Sequence, residues 1–348
     1  MGNLHEGSVV TPKPVVLPGI DDIRAAGKRI AGVATRTPLV RLDIGSATIP
    51  GSSGRVAAEI FLKLETRQPI GSFKIRGAAN AMGMVTKKEL TGGVWTASAG
   101  NMAQGLAWCA RERGVKCRVV VPDHAPRAKT EAITKLGAEL ITVPFEAWWT
   151  AMLTHTHPGM TGLMVHPFAD TAVMAGNGTI GLELAEDQPA LDAVIVPWGG
   201  GGLALGIAAA LREVSPDTKV YAVEVETAAP LTASISAGRP VVIRRTKTFI
   251  DGMGGDRVSE ETWPLVKGLI TGTIVVTVAQ VAAALKLLVE RAGVTAEGAG
   301  AAAVAAAMAG AMRGRPGSSL AAKRVACIIS GGNIDAHVVA TIMRGQIP

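Results

Sequence analysis

One lysine and three glycine-rich turns have residue types suited to chemistry on a small anionic molecule. Lys74 stands in the stretch PIGSFKIRGAAN, just behind a turn and at the predicted start of a helix. The turns read SAGNM, GGGGL and SGGNID, and each follows a predicted strand and precedes a predicted helix. Backbone N–H groups and the positive end of a helix dipole bind anions at such turns. The pattern therefore predicts anion-binding loops that share a cleft with a primary amine.

The GGGGL turn, Gly199 to Leu203, is the strongest of the three signals. It follows the predicted strand Val194 to Pro197, and consecutive glycines let a backbone fold closely around a phosphate. Together with Ala204 and Glu224 the turn also fits a loose dinucleotide-binding pattern. A tight turn that serves only packing is the third interpretation. No GK[ST] sequence follows, which excludes a nucleoside-triphosphate loop.

The other two turns are weaker signals when each is taken alone. Ser98 can cap the helix that follows it, and the next N–H groups can hold a carboxylate. Capping by itself explains this loop equally well. Ser330 comes at the carboxyl end of a late predicted strand, where open α/β sheets bind ligands. The two turns gain meaning only in combination with Lys74 and the GGGGL turn.

A phosphate loop, a carboxylate loop and one amine are together what pyridoxal phosphate and an amino acid require. From about Arg36 to about Val339 the chain resembles the tryptophan-synthase-like, fold type II family of pyridoxal-phosphate enzymes. Within this family it is most similar to the threonine and serine dehydratases and their relative serine racemase. The motifs that carry the resemblance, in chain order, are GSFKIRGA, SAGNMAQG, AGNGT, GGGGL, AEGAGA and SGGNID.

The resemblance implies the residues of the site. Lys74 corresponds to the lysine that forms the Schiff base, and Phe73 to the residue beside the pyridine ring. Asn101 is expected near the 3'-oxygen of the cofactor and Ser330 at the pyridine nitrogen. The implied phosphate loop, which displaces the dinucleotide alternative, consists of Gly199, Gly200, Gly201, Gly202 and Leu203. The substrate carboxylate is expected on the backbone of Ser98, Ala99, Gly100, Asn101 and Met102.

The implied reaction is β-elimination from a β-hydroxy amino acid, which yields a 2-oxo acid and ammonia. Lys74 would take the Cα proton. A neutral Ser330 hydroxyl would limit the electron density held by the ring and favour elimination over transamination, although Ser330 can also simply end a strand. Ala99 stands where serine racemase has its second catalytic serine, which disfavours racemisation. A β-replacement synthase of the cysteine-synthase type and a non-catalytic cofactor-binding or amino-acid-binding protein remain alternatives.

Several positions depart from the family pattern or fit it weakly. Met102 replaces the usual histidine, so either the substrate has a bulkier β-substituent or the methionine only fills a gap at the helix start. Of the carboxylates that bind a divalent cation in some relatives only Glu224 is aligned, with Pro230 at another ligand position, and we expect no metal site. Glu297 is expected to help orient the substrate. Asp251 is either a supporting acid or a turn former.

Short β-branched runs alternate with alanine-rich helical stretches, a pattern typical of α/β folds with parallel sheets. We expect two lobes: an N-terminal arm at 1–20, a large cofactor-binding domain at 21–91 plus 168–348, and a small domain at 92–167. Thr277 is predicted to cap a helix that ends at Gly293, and Gly298 to Gly310 to form a central helix. The predicted strands are Ile60 to Leu64, Gly93 to Thr96, Cys117 to Val121, Glu139 to Val143, Ala193 to Pro197, Val220 to Val225, Thr273 to Val276 and Val325 to Ser330.

Composition narrows the setting in which this chemistry is expected. The net charge is +7, but the basic residues are scattered and aromatic residues make up only 3%, which disfavours nucleic-acid binding. No apolar run is long enough for a membrane span. Cys109, Cys117 and Cys327 form no CxxC pair, which favours a reducing compartment and hence the cytoplasm. The partner is expected to be a small-molecule amino acid, and the resemblance implies a homodimer or homotetramer.

Overall fold

Parallel strands with flanking helices make up the fold. The computed structural model describes residues 15–45, 50, 59–309, 313–314, 318–319 and 324–348. The strands are β1 Leu39–Leu42, β2 Glu59–Lys63, β3 Val94–Ala97, β4 Cys117–Pro122, β5 Glu139–Val143, β6 Leu163–Met164, β7 Ala193–Pro197, β8 Lys219–Val225, β9 Gly272–Val276, β10 Arg313–Gly314, β11 Ser318–Ser319 and β12 Arg324–Ile328. The helices are α1 Ile20–Ile30, α2 Lys74–Gly83, α3 Asn101–Glu112, α4 Arg127–Lys135, α5 Phe145–Thr154, α6 Thr171–Asp187, α7 Gly202–Val214, α8 Pro230–Ala237, α9 Trp263–Val266, α10 Val278–Leu287, α11 Gly298–Met308 and α12 Ala336–Met343.

The larger sheet has six strands in the order β1-β2-β12-β7-β8-β9. All neighbouring pairs are parallel except β1 with β2, which is antiparallel. The sheet brings the ends of β7 and β12 side by side: Ile195 pairs in register with Cys327, which lies 132 positions later in the chain. The GGGGL and SGGNID turns therefore leave the same edge of one sheet.

The smaller sheet has four parallel strands in the order β5-β4-β3-β6. All of them come from one continuous stretch, which runs from Val94 to Met164 and also contains α3, α4 and α5. We call this stretch with its sheet the small lobe, and the elements around the larger sheet the large lobe. The small lobe is thus one continuous part of the chain, and we propose limits of 92 and 167 for it.

All eight predicted strands are present, with ends displaced by at most two residues in the described part of the chain. Four short strands in the described ranges were missed, namely β1, β6, β10 and β11. β1 carries the exposed Arg41 at the sheet edge, and β6 has only two residues, so neither shows a long apolar run. Of the predicted arm, residues 1–14 lie outside the described residues, and α1 begins at Ile20.

Helix ends follow the sequence signals closely. Thr277 caps α10 by accepting a 3.1 Å hydrogen bond from the amide of Gln280, and a π-helical turn then continues the helix to Gly293 at φ 61°. This confirms both predicted ends. The central helix α11 is buried along its whole length and runs to Met308. The predicted end of this helix, Gly310, lies outside the described residues.

Helices α6 and α7 pack so closely that their backbones touch. A Cβ atom at Gly206 of α7 would lie 2.3 Å from the carbonyl oxygen of Met174 in α6. At Gly178 of α6, a Cβ would lie 2.9 Å from the carbonyl oxygen of Gly206. Only glycine permits this contact, and it sets the position of the first turn of α7.

Among the helices in the described ranges, none combines the length and hydropathy needed to cross a bilayer.

A buried ion network joins β2, α2 and α6 directly behind Lys74. The side chain of Arg76 is 1% exposed and bonds Glu65 through Nε at 2.8 Å and Glu183 through Nη1 at 2.6 Å. Lys63, fully buried, donates at 2.7 Å to the carbonyl oxygen of Thr37 and pairs with Glu183 at 2.7 Å. Burial alone would raise the pKa of Glu65, but the adjacent guanidinium lowers it below the usual range. The charges are thus compensated inside the core.

Replacement of Arg76 by methionine should lower the free energy of unfolding by about 3–5 kcal/mol, because Glu65 would stay buried without its counter-ion and Glu183 would keep only Lys63. Urea denaturation measures this loss. Arg24→Met is the matched control: Arg24 pairs with Asp21 at the surface, where the two side chains are 58% and 92% exposed. Its loss should be at most about 1 kcal/mol. Equal denaturation midpoints for the two variants would contradict the assigned role of the network.

Candidate active site

Lys74 is the first residue of α2, and its amine lies in the cleft between the lobes. Its Nζ donates to the carbonyl oxygen of Pro167 at 2.5 Å and lies 5.0 Å from the centre of the Phe73 ring. Burial lowers the pKa of Lys74 to about 8, and the carboxylate of Glu297 opposes this shift. An amine with such a pKa has a substantial neutral fraction near physiological pH, as a nucleophile or base requires.

The helix that carries Lys74 is held against the small lobe at close range. A Cβ atom at Gly105 of α3 would lie 3.2 Å from the backbone carbonyl carbon of Lys74. The two helices therefore touch through their backbones, and they share an apolar cluster that includes Ile75 and Leu106. This contact places the first turn of α3 next to the amine, although Lys74 and Asn101 are 27 positions apart in the sequence.

The SAGNM turn presents unpaired backbone donors at the start of α3. The amide of Gly100 donates to the Ser98 hydroxyl at 3.2 Å, which shapes the turn. The amides of Ala99, Asn101 and Met102 have no hydrogen-bond acceptor among the described protein groups. Together with the helix dipole these free N–H groups form a site that suits a carboxylate.

Polar side chains from three segments meet beside this turn. Asn101 donates through Nδ2 to both carboxylate oxygens of Glu297, at 3.0 and 3.1 Å. Its Oδ1 accepts a 2.8 Å hydrogen bond from Asn333, which follows the SGGNID glycines. Burial raises the pKa of Glu297 to about 7, and the hydrogen bond from Asn101 opposes the shift. The position of Asn101 is therefore determined on both sides by partners in the large lobe.

The GGGGL turn connects β7 to α7 and also has free amides. Gly201 caps α7 with φ 94°, a conformation that favours glycine. The amides of Gly199, Gly200 and Gly201 have no acceptor among the described protein groups. Leu203 lies in the first turn of α7 and packs into the apolar core. A phosphate is the kind of ligand that would pair with these donors.

Ser330 lies against the segment that carries the lysine. The amide of Phe73 donates to the carbonyl oxygen of Ser330 at 3.0 Å, and the amide of Gly332 donates to that of Gly71 at 2.9 Å. Ser330 is 2% exposed, so its hydroxyl is buried beside this pairing. The backbone pairing thus holds Ser330 against the segment that begins α2 with Lys74.

The structure brings the lysine, the two amide loops and Ser330 together around one cleft. This arrangement fits pyridoxal phosphate: the GGGGL turn and α7 would hold its phosphate, Ser330 and Phe73 its ring, and Lys74 its carbonyl carbon. The side chain of Met102 is the exception, because it is buried in the apolar cluster of the small lobe with Leu106. Only the backbone of Met102 faces the SAGNM site, so the side chain does not shape a substrate pocket.

Two other acids considered from the sequence have clear partners. Both carboxylate oxygens of Glu224 accept hydrogen bonds at the start of α8, from the amides of Leu231 at 2.7 Å and Thr232 at 2.8 Å. Glu224 therefore serves as a helix cap. In the described ranges no group of three or more His, Cys, Asp or Glu residues could hold a metal ion. Asp251 forms an ion pair with Lys129 of the small lobe.

Sequence reasoning missed three contributors to the site. The carbonyl oxygen of Pro167 and the ring of Phe168 come from the connection that leaves the small lobe, and Lys129 comes from α4. A backbone carbonyl has no sequence signature, and a phenylalanine before a helix is most often a core residue. Lys129 is one of many scattered basic residues. Their role follows only from the way the lobes meet.

We expect Gly200→Ala to lower the free energy of unfolding by about 1–3 kcal/mol, since the new methyl group has no space. A Cβ atom at Gly200 would lie 2.1 Å from the ring of Phe168. Gly199→Ala is the control in the same turn, because the nearest atom to its Cβ is 3.6 Å away. The control should change stability by no more than about 0.5 kcal/mol. Chemical denaturation of the cofactor-free protein compares the two, and equal losses would refute the proposed clash.

Comparisons with known proteins agree with this geometry. The chain is 37% identical over 327 residues to the L-threonine ammonia-lyase of Thermotoga maritima, an alignment that covers 93% of this chain and 78% of the relative. It is 36% identical over 324 residues to the catabolic L-threonine dehydratase of Escherichia coli, which covers 93% of this chain and 95% of the relative.

Solved structures show the same fold over nearly the whole chain. The structure of maize serine racemase superposes with a TM-score of 0.84 at 30% identity and covers 95% of this chain and 98% of the racemase. The sequence pattern of the family described as pyridoxal-phosphate dependent enzyme matches residues 30–331. The chain therefore belongs to the family of pyridoxal-phosphate dependent enzymes.

Proposed function

We propose that the chain is an ammonia-lyase that converts a β-hydroxy amino acid such as L-threonine to a 2-oxo acid and ammonia. The observation that carries this proposal is the convergence on Lys74 of two loops with free amides and one neutral hydroxyl, from Ser330. The relatives at 36–37% identity, which are named as threonine ammonia-lyase and dehydratase, support the same class of substrate.

The protein groups divide the work of elimination between binding and proton transfer. Bound pyridoxal phosphate would supply an electron sink for the charge left at Cα. The free amides of Ala99, Asn101 and Met102 would bind the substrate carboxylate and hold the Cα–H bond near Lys74. The neutral amine of Lys74 would take the Cα proton, and the β-hydroxyl would leave as water once the Lys74 ammonium returned that proton to the leaving oxygen. The released enamine hydrolyses to the 2-oxo acid and ammonia.

Ser330 supports elimination over the alternatives. A hydroxyl at the pyridine nitrogen would not keep that nitrogen protonated as a carboxylate would, so less negative charge would be delocalised into the ring. Ala99 offers no second acid or base at the SAGNM turn, which disfavours racemisation. The sequence after the lysine turn, Lys74-Ile75-Arg76, differs from the pattern usual in β-replacement synthases. Elimination is the reaction that these residues fit best.

The same resemblance supports two further proposals about the state of the enzyme. We propose that it acts in the cytoplasm as a homodimer or homotetramer. Cys109, Cys117 and Cys327 are free and buried, as a reducing compartment allows. Sedimentation velocity of the purified protein would give the number of subunits.

The rate at which cofactor-free protein captures pyridoxal phosphate should rise with pH and level off above about 8. The reason is that burial lowers the pKa of Lys74 to about 8, and only the neutral amine attacks an aldehyde. Stopped-flow absorbance measures the rate. Because the Glu297 carboxylate raises the pKa of Lys74, Glu297→Gln should move the midpoint to lower pH. A midpoint that stays the same or rises in this variant would show that Glu297 does not act on the amine.

Purified enzyme with bound cofactor should produce 2-oxobutanoate and ammonia in equal amounts from L-threonine. Lys74→Ala should lower kcat by about 10²–10⁴-fold, because the general base is lost. Lys88→Ala, at an exposed position, serves as the control and should keep the wild-type rate. A synthase would instead consume substrate only with added sulfide and an O-acyl serine. Cofactor binding without any product would favour the non-catalytic alternative.

A further inference from the structure

The segment 249–262 of the large lobe reaches across the cleft to the small lobe. Ile250 and Met253 are buried in the core of the large lobe and anchor the segment. Between them Asp251 points away from the core and pairs with Lys129 of α4. The exposed position between two buried apolar residues therefore places a carboxylate at the boundary between the lobes.

The Lys129–Asp251 pair lines a cavity that borders the SAGNM turn of the site. This cavity of about 230 Å³ also includes Gly100, Asn101 and Glu297 among its walls. Both members of the pair act electrostatically on the Glu297 carboxyl: Asp251 raises its pKa and Lys129 lowers it. A Cβ atom at Gly252, next to Asp251, would lie only 3.0 Å from the Oε1 atom of Glu297. The pair is therefore part of the cleft wall.

Lys129 is the only cationic side chain among the described residues that line this cavity. The acids there are Asp251, Glu297 and Asp335. If the carboxylate of an amino acid binds to the SAGNM amides, its side chain extends towards the remaining walls. An unpaired ammonium at that place would attract a side-chain carboxylate. Asp251 already pairs with the Lys129 ammonium. The side-chain carboxylate of a ligand would therefore face a neutralised ion pair and the carboxylates of Glu297 and Asp335.

Stability does not account for the pair. The side chains of Lys129 and Asp251 are 29% and 49% exposed, and ion pairs at such positions contribute little to folding because water screens them. A carboxylate that neutralises a cation inside a binding cavity does change which ligands can bind there. Discrimination against a ligand by placing like charge near its charged group is a general route to specificity.

We propose that Asp251 is a specificity-determining residue, which neutralises Lys129 and so directs the cleft to amino acids with uncharged side chains. Loss of the Asp251 charge frees Lys129 to bind a second carboxylate, and the cleft then accepts acidic amino acids such as a 3-hydroxyaspartate. This inference rests on the proposed binding of an amino acid in the cleft. It assigns no step of the reaction to either residue.

Binding of L-aspartate and L-alanine to the enzyme with bound cofactor tests the proposal. Neither amino acid has a β-hydroxyl, so both bind without elimination, and calorimetry gives their dissociation constants. Asp251→Asn should shift the ratio of the two constants in favour of L-aspartate by about tenfold or more, because one charge pair is exchanged for another. An unchanged ratio would overturn the proposal. Asp251 is half exposed, so the variant should fold normally.

Two further variants separate the pair from a general effect of charge. Asp335→Asn removes a carboxylate from the same cavity that has no hydrogen bond to Lys129, and it should shift the ratio much less. Addition of Lys129→Gln to Asp251→Asn should abolish the gain for L-aspartate. An equal shift in Asp335→Asn, or a gain that persists in the double variant, would show that Lys129 is not the group involved.

The same preparations keep this proposal distinct from the proposed reaction. Deamination of L-threonine is measured alongside binding. A shifted ratio without threonine turnover would refute the lyase function and leave the role of Asp251 standing. Threonine turnover with an unchanged ratio of dissociation constants would support the lyase function and refute the role of Asp251.

Discussion

Arg76 lies fully buried two residues after Lys74, and the neutralisation of its charge is the constraint around which the site is built. Glu65 supplies that neutralisation from the short 3-10 turn after β2, and Glu183 supplies it from α6. An unpaired charge in this position would destabilise the fold by several kcal/mol, so separation of these three elements is strongly unfavourable. The network thereby holds the start of α2, and with it the reactive amine, against the large lobe.

Around this fixed point the anion sites are made of backbone. The free amides of the SAGNM and GGGGL turns require turns that glycine permits, and close helix contacts at Gly105 and Gly206 place both turns around the cleft. Backbone donors in such turns are oriented before a ligand arrives, which lowers the cost of binding. The side chains that remain in the cleft are therefore few, and each has a distinct chemical character.

Burial and charge act against each other on these side chains. Burial lowers the pKa of Lys74 and raises that of Glu297, so both groups change protonation near neutral pH. Titratable pairs of this kind are characteristic of sites that move protons. The second charged pair, Lys129 with Asp251, lies where water still reaches it and bridges the two lobes. Burial thus shifts the pKa values of the groups inside the cleft, whereas water screens the ion pair at its boundary.

Local sequence was sufficient for most of the fold and for Lys74 and the three glycine-rich turns of the site. Strands β5 and β7 match their predicted ranges, and the Thr277 cap follows from short-range hydrogen bonding that the sequence already encodes. The grouping of Lys74 with the three turns could also be predicted, because strand ends of parallel sheets meet at one edge. Tertiary structure alone decided that Met102 points into the core and that Asp251 meets Lys129. Those outcomes depend on how two lobes pack across a cleft, and contacts between residues far apart in the chain leave no local pattern.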